Sequence, residues 1–356
     1  MRAAVYHGRR DVRVEAVPDP GAPGPEEVTI RIDRTCICAT DASEWAKGPM
    51  LMPTETADAV TGHLGPVIIG HEMFGRIEAI GEDVSGLAVG DRVVPGAGMW
   101  CGECAWCRRG QSNLCESYYT HGLETDGGMA ELVNVPALMC IPVPVDCTDA
   151  AAPFAQPLAV ALHSVRVAGV QSGDSVAVIG VGAIGFFALA AVLAWGARPV
   201  VALDIDPERL AQAESFGATA TLDAGADGLD VTLLELSGGA GFDFVVEASG
   251  AEPSPQLAQR VVRRGGTILQ VALHDQPRPL DLSDLALREV QVVSTLAHIC
   301  DVDIPEALEL LRDERLADAV RAREIGLERI VEEGLEPLSR GEVSGKVVVN
   351  VGDEPG

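Results

Sequence analysis

Four cysteines stand in the stretch WCGECAWCRRGQSNLC, spaced Cys101-x-x-Cys104-x-x-Cys107 and then, seven residues later, Cys115. Thiolates this close together in a loop can close a tetrahedral shell around zinc with no open position, which makes the site structural rather than catalytic. The same four could instead hold an iron–sulfur cluster, or stand as free or disulfide-bonded cysteines. Arg108 and Arg109 lie beside the shell and would offset its negative charge.

A second chemistry is written in SVAVIGVGAIGFFALAAVLAWGARPVVALDIDPER, Ser175 to Arg209. An uncharged β-branched run (Val176–Ile179) meets Gly180-x-Gly182-x-x-Gly185, then a helix-length apolar segment, then a second apolar run ending in Asp204. Strand, glycine turn, helix and strand, with an acid about 20 residues past the last glycine, is the order a dinucleotide site needs. Gly180 makes the tight turn and Gly182 lets backbone N–H groups approach a pyrophosphate. Gly185 lets the helix pack close, so its positive end (Ala183, Ile184, Gly185) faces the phosphates. The Asp204 carboxylate would accept from an adenosine ribose and repel a 2′-phosphate, which selects NAD over NADP. No basic residue stands at Ile205 or Asp206. The uncharged run from Val176 to Ala197 is long enough to span a membrane, but its early glycines and the charges from Asp204 onward oppose that reading.

A third set is dispersed: Cys38 in CATD, and Gly70-His71-Glu72 before another apolar strand. Neither a lone Cys nor a lone His marks a metal site by itself.

The elements that must position these residues are of two kinds. Up to about Pro153 the chain reads as short strands cut by Gly and Pro: Ala3–Tyr6, Val28–Ile32, Gly75–Ile80, Arg92–Val94 and Met129–Val135. This half is expected to be an antiparallel β domain, with Pro18–Glu27 a loop. A helical stretch, Ala150–Val170, leads into alternating strands and helices. Further strands are expected at Phe242–Glu247, Thr267–Val271 and Gln291–Ser294, and helices at Pro207–Phe216 and Pro253–Arg264. That alternation predicts a doubly wound parallel sheet. A helix (Ile304–Arg312) and a last strand (Lys346–Val351) follow, so the nucleotide domain is expected to interrupt the first domain.

The totals agree. A chain of 356 residues suggests two domains, and 47% hydrophobic with 22% charged residues is a globular composition. With 26 basic and 53 acidic residues, the net charge of −27 argues against nucleic acid and anionic lipid as partners. The N-terminal residues lack the apolar core of a signal peptide. Nine cysteines, five of them Cys38 and the lobe set, point to a reducing compartment, by default the cytoplasm.

Taken in order, Cys38-x-Thr40-Asp41, Gly70-His71-Glu72, the four-cysteine lobe, the Gly180 turn and Asp204 resemble the zinc-dependent medium-chain alcohol dehydrogenases nearly end to end. KGPMLMPTETADAVTGHLGPVIIGHE and IGLERIVEEGLEPLSRGEVSGKVVV are most similar to the butanediol and sorbitol-like polyol branch. The resemblance implies a GroES-like catalytic domain (1–156 and 295–356) and a Rossmann domain (157–294), with the active site between them. It also implies NAD, two zinc ions per chain, a small alcohol or ketone substrate, and a homodimer or homotetramer.

Carried over by residue, Cys38 and His71 hold a catalytic zinc, and Asp41 accepts from the His71 ring. Thr40 takes the alcohol proton, Arg209 flanks the ribose, and Lys346 contacts the pyrophosphate. Two departures stand out. Gln156 replaces a ligating glutamate, taking the shell from neutral to about +1; Glu72 is the other candidate for that place. Ser43 stands where many relatives end the proton relay with histidine. The chemistry implied is Lewis-acid polarisation of the substrate oxygen, proton transfer to Thr40, and hydride transfer to the nicotinamide. Two alternatives are a zinc-free quinone- or enone-type reductase of the same fold, and a non-catalytic nucleotide-binding protein. The other histidines are expected to be structural or at the surface, and Cys36, Cys140, Cys147 and Cys300 to be buried as small hydrophobes.

Overall fold

The first stretch is a set of short strands whose β-branched residues alternate between core and solvent, separated by loops that Gly and Pro enforce. In the computed structural model, which describes residues 1–352, they are β1 (Arg2–Gly8), β2 (Asp11–Ala16), β3 (Glu27–Ile37), β4 (Val67–Ile68), β5 (Glu72–Ile80), β6 (Arg92–Pro95), β7 (Gly98–Met99), β8 (Tyr119–Thr120), β9 (Leu132–Pro136) and β10 (Cys140–Pro142). One helix, α1 (Ala39–Lys47), interrupts them, and α2 (Ala155–Ala168) follows. The long β3 organises this part, pairing with β5 along one edge and with β9 near its start, both antiparallel.

From Val176 the pattern changes to parallel strands joined by helices: β11 (Val176–Ile179), α3 (Ala183–Ala194), β12 (Val200–Asp204), α4 (Pro207–Phe216), β13 (Ala220–Asp223), α5 (Leu229–Leu236), β14 (Phe242–Glu247), α6 (Ser254–Val261), β15 (Val262–Gln270), α7 (Leu282–Arg288) and β16 (Gln291–Ser294). The sheet order is β13-β12-β11-β14-β15-β16. All its pairs are parallel. Strand order reverses between β11 and β14, the place where doubly wound sheets bind ligands. Every residue of β11 is buried, as an uncharged run between two helical layers requires. One face carries Ala177, Ile179, Val201 and Leu203 against Leu233, Leu257 and Val261, each large side chain worth about 1.5–3 kcal/mol of burial. The apolar α3 is a core helix of 12 residues, and no helix among the described residues is long and apolar enough to cross a membrane.

The chain then forms α8 (Cys300–Leu310) and ends in β17 (Arg321–Gly326) and β18 (Lys346–Asn350). β18 pairs antiparallel with β3, which returns the C-terminal part to the first sheet. The chain accordingly divides into two compact units: Met1–Ala159 with His298 onward, and Val160–Ala297. Two expectations need correction. The first unit is not antiparallel throughout, because β17 pairs parallel with β18 across an intervening helical crossover. The helix expected over Pro253–Arg264 stops at Val261, and β15 begins at Val262, where Gly265 (φ +65) and Gly266 allow the chain to bend.

Candidate metal and cofactor sites

Cys38 follows the last residue of β3 and is the N-cap of α1, in extended backbone. Its own N–H donates to Asp41 Oδ2 at 2.9 Å, while the Asp41 N–H points back to the sulfur. This reciprocal cap fixes the sulfur at the N-terminal end of the helix. Thr40 Oγ1 lies 3.7 Å from Cys38 Sγ. Thr40 and Ser43 are both half-buried and three residues apart, so they share one face of α1.

Gly70 (φ +101) turns the chain into β5 so tightly that a Cβ there would sit 2.6 Å from Met129 Cγ. The turn brings His71 and Glu72 to the head of β5, whose Glu72 lies opposite Cys36 of β3. The ligand atoms of Cys38, His71 and Glu72 all fall within 4.8 Å of one another. His71 Nδ1 faces Asp41 Oδ1 at 3.5 Å. That is an ion-pair separation rather than the expected hydrogen bond, because Asp41 spends its other oxygen on the helix cap. Burial opposes charge on His71, but Asp41 and the Cys38 thiolate outweigh it and hold the ring well above its ordinary pKa.

Glu72 is divided between two tasks. Oε1 meets the Lys346 ammonium, whereas Oε2 is buried without a partner. Buried polar atoms are nearly always satisfied, so an orphan carboxylate oxygen beside a thiolate and an imidazole is a vacancy of the kind a cation fills. Sulfur, ring nitrogen and carboxylate oxygen are the ligand types of zinc; this donor set fits it. Lys346 is a correction. Its expected partner was a pyrophosphate, but it is buried and its charge goes to Glu72. Burial opposes its ammonium, yet Glu72 raises its pKa overall. Gln156 is buried on the first turn of α2. Cys36 Sγ lies 3.8 Å from Pro153 O, tying the segment just before Gln156 to the strand that leads into Cys38.

In the lobe, the four sulfurs of Cys101, Cys104, Cys107 and Cys115 also lie within 4.8 Å of one another, and the cysteines are free thiols. Backbone N–H groups already point at them: Cys101 to Cys115 Sγ at 3.2 Å, Cys104 to Cys101 Sγ at 3.3 Å and Ser117 to Cys115 Sγ at 3.3 Å. Backbone donors from Cys107 and Glu116 pull the Cys104 thiol down to about 6. Burial, then the hydrogen bond with Cys104, pushes Cys107 up to about 12. A dication bound by the four sulfurs would displace the protons they carry. Arg109 lies 5.5 Å over the Trp106 ring, so the lobe fixes at least one of its two flanking cations.

In the nucleotide unit the three glycines meet their expected constraints. Gly180 has φ +87, and a Cβ would sit 2.6 Å from Ser249 Cα; at Gly185 it would sit 1.8 Å from Gly180 O. At Gly182 it would meet only Arg209 Nη1, at 3.8 Å, which leaves that side open to a ligand. Gly182 caps α3, so the N–H groups of Ala183, Ile184 and Gly185 have no acceptor within the helix. Asp204 Oδ2 accepts from Val181 N–H at 2.8 Å and Oδ1 from Asp206 N–H at 3.1 Å. Each oxygen keeps a second lone pair for a ribose hydroxyl. Arg209 Nη1 lies 3.5 Å from Asp204 Oδ1, so the structure brings these predicted residues together.

Sequence reasoning missed Glu44 and Glu124. Glu44 is fully buried on α1 and accepts from Met50 N–H at 3.0 Å and Leu51 N–H at 2.6 Å, pinning the loop after the helix that carries Thr40 and Ser43. Glu124 is raised above the usual carboxylate range by burial and feels the charge of His71. Neither lies in a motif, and both owe their environment to contacts a linear reading does not carry.

Residues 24–145 match the alcohol dehydrogenase GroES-like domain family, and residues 183–313 match the zinc-binding dehydrogenase family. A D-xylulose reductase A of Aspergillus niger is 33% identical over 274 residues, covering 75% of this chain and 74% of that protein. The (R,R)-butanediol dehydrogenase of Bacillus subtilis is 29% identical over 351 residues, 98% of this chain and 99% of that one. The crystal structure of the 2R,3R-butanediol dehydrogenase from Bacillus subtilis superposes with a TM-score of 0.89 at 28% identity over 98% of this chain and 99% of that one. An alcohol dehydrogenase from Thermus sp. ATN1 gives 0.86 at 30% identity, over 98% and 99%. The chain belongs to the zinc-dependent medium-chain alcohol dehydrogenase family, in its polyol and butanediol branch. Its units are a GroES-like domain and a Rossmann-type domain, and it is an oxidoreductase of alcohols.

Proposed function

We propose that the chain oxidises a secondary alcohol of the vicinal diol or polyol class to the ketone with NAD, using one zinc at Cys38, His71 and Glu72 or Gln156 and a second in the four-cysteine lobe. The observation that carries this reading is the Cys38–His71–Glu72 cluster, with His71 and Glu72 buried and one Glu72 oxygen unpartnered, next to the Thr40 hydroxyl. Zinc held there would supply Lewis acidity to the substrate oxygen, and a bound nicotinamide would supply the hydride acceptor. Thr40 takes the hydroxyl proton and passes it along α1 to Ser43, which relays it without holding it. Asp41 fixes the His71 ring and holds Cys38 at the helix end. On the Rossmann unit, Gly182 and the first N–H groups of α3 receive the pyrophosphate, and Asp204 and Arg209 hold the adenosine ribose.

The D-xylulose and butanediol names of the relatives support a polyol or vicinal diol as the substrate class. Free thiols in two metal-ligand sets support a reducing compartment, the cytoplasm. The test is metal content together with a substrate panel. Wild type should carry about two zinc ions per chain and reduce NAD with a vicinal diol. Cys38→Ser should keep the lobe zinc, lose the other and lose turnover. An active Cys38→Ser enzyme holding a single zinc would move the chain to the zinc-free reductase reading.

A further inference from the structure

Glu247, the last residue of β14, is fully buried and carries six hydrogen bonds to four segments. Oε1 accepts from Ser249 N–H at 2.9 Å, Ser249 Oγ at 2.7 Å, Gly250 N–H at 3.1 Å and Ser254 Oγ at 2.8 Å. Oε2 accepts from Gln270 Nε2 at 2.7 Å and His274 Nε2 at 3.1 Å. Arg278 Nε donates to His274 Nδ1 at 3.4 Å, which leaves Nε2 to donate to Glu247. No lysine or arginine contacts the carboxylate in these bonds. Burying a carboxylate on neutral donors is costly unless nearly every lone pair is used, and here they are. Burial opposes its charge, but the Ser249, Ser254 and Gln270 donors prevail and keep its pKa below the ordinary glutamate value.

The position of this hub gives it a task. Its first oxygen locks the turn whose Ser249 closes on Gly180, the tight turn of the dinucleotide loop. Its second oxygen holds the end of β15 and the segment beyond it. A dinucleotide laid across the β11–β14 reversal has its ribose acceptor, Asp204, on the β12 side and its pyrophosphate at α3. Its other half therefore falls at the C-terminal ends of β14 and β15. A carboxylate that merely closed its own turn would need Oε1 alone; the Oε2 half reaches a different strand.

We infer that Glu247 is a positioning residue for the nicotinamide half of the cofactor, clamping the Ser249–Gly250 turn to the Gln270–His274 segment so that both form one rigid floor. This rests on the dinucleotide reading of the unit, and the experiment separates the two. Dissociation constants for ADP, which probes the adenosine side, and for NADH, which probes both, are measured by calorimetry on zinc-replete enzyme. The variants are Glu247→Gln, His274→Leu and His274→Gln, the last keeping an amide donor for Oε2. Thermal unfolding reports whether each is folded. Glu247→Gln and His274→Leu should weaken NADH by roughly tenfold, the scale of one charge-assisted hydrogen bond; His274→Leu, which leaves the Oε1 half intact, should leave ADP unchanged, and His274→Gln should restore most of the NADH affinity. Equal losses for ADP and NADH in folded His274→Leu, or no loss of NADH in that variant, would overturn the clamp. Wild type that binds neither ligand would sink the dinucleotide reading and the clamp with it.

Discussion

At the scale of single residues, a long-range partner, Lys346, shapes the donor set around Cys38. Lys346 holds one Glu72 oxygen and leaves the other unpaired, so the carboxylate faces the metal cluster with half its charge already engaged. If Gln156 completes the shell, its neutral amide is a weak ligand and the zinc should leave at chelator concentrations that spare the four-thiolate lobe. Gln156→Glu should tighten that zinc about tenfold or more, the scale seen when metal-site groups change, read as zinc retained per chain across a chelator series. Unchanged retention in Gln156→Glu would assign the place to Glu72. The same variant should slow hydride transfer, because a neutral shell polarises the substrate oxygen less. Asp204 makes a separate prediction. Its buried carboxylate faces the ribose side with Ile205 and Asp206 beside it, so kcat/KM should favour NAD over NADP. Asp204→Ala should narrow that preference by about tenfold or more. Equal use of both cofactors by the wild type would remove Asp204 from this role.

At the scale of elements, the lobe between β7 and β8 is the part whose folding a bound metal would support most. It has short strands, two 3₁₀ turns and few apolar residues, and four sulfurs at its centre, so the binding energy of a zinc held there would be folding energy. Cys104→Ser should lower zinc content and thermal stability together, followed by metal analysis and calorimetry; a variant with full stability and no metal loss would mean the closed shell is misassigned. The same contrast explains what could be read from the linear chain. β11 and β12 were legible almost to the residue because each is an apolar run that ends at a glycine or an acid. The glycine turn was legible because each glycine answers a local steric demand. The parallel β17–β18 pair was not, since no local pattern distinguishes parallel from antiparallel pairing. Nor was Lys346, whose partner Glu72 is brought to it only when β18 returns to β3 and β5 joins β3 on the other side. Glu247 read as an ordinary strand end, because its donors come from four segments spread over residues 249–274.

At the scale of the whole molecule, the dominant physical fact is charge. With 53 acidic and 26 basic residues, pairing every cation still leaves a net charge of −27. Many arginines are in surface ion pairs, such as Arg329 with Glu333 and Arg315 with Asp313, and exposed pairs of this kind contribute about 0–1 kcal/mol each. Salt weakens those pairs, but it also screens repulsion among the unmatched carboxylates, and the two effects oppose. The excess of one sign decides between them: self-repulsion acts on every unmatched carboxylate and destabilises the compact state. Raising NaCl from about 10 mM to about 150 mM shortens the screening length from about 30 Å to about 8 Å. Tm should therefore rise with salt, by roughly 1–2 °C for each kcal/mol recovered in a chain of this size. KCl should act like NaCl, since screening depends on ionic strength and not on the identity of the cation. Thermal unfolding of the zinc-replete enzyme across an ionic-strength series checks this. A Tm that falls steadily with salt would show that the surface ion pairs, and not the unmatched carboxylates, govern the stability of the molecule.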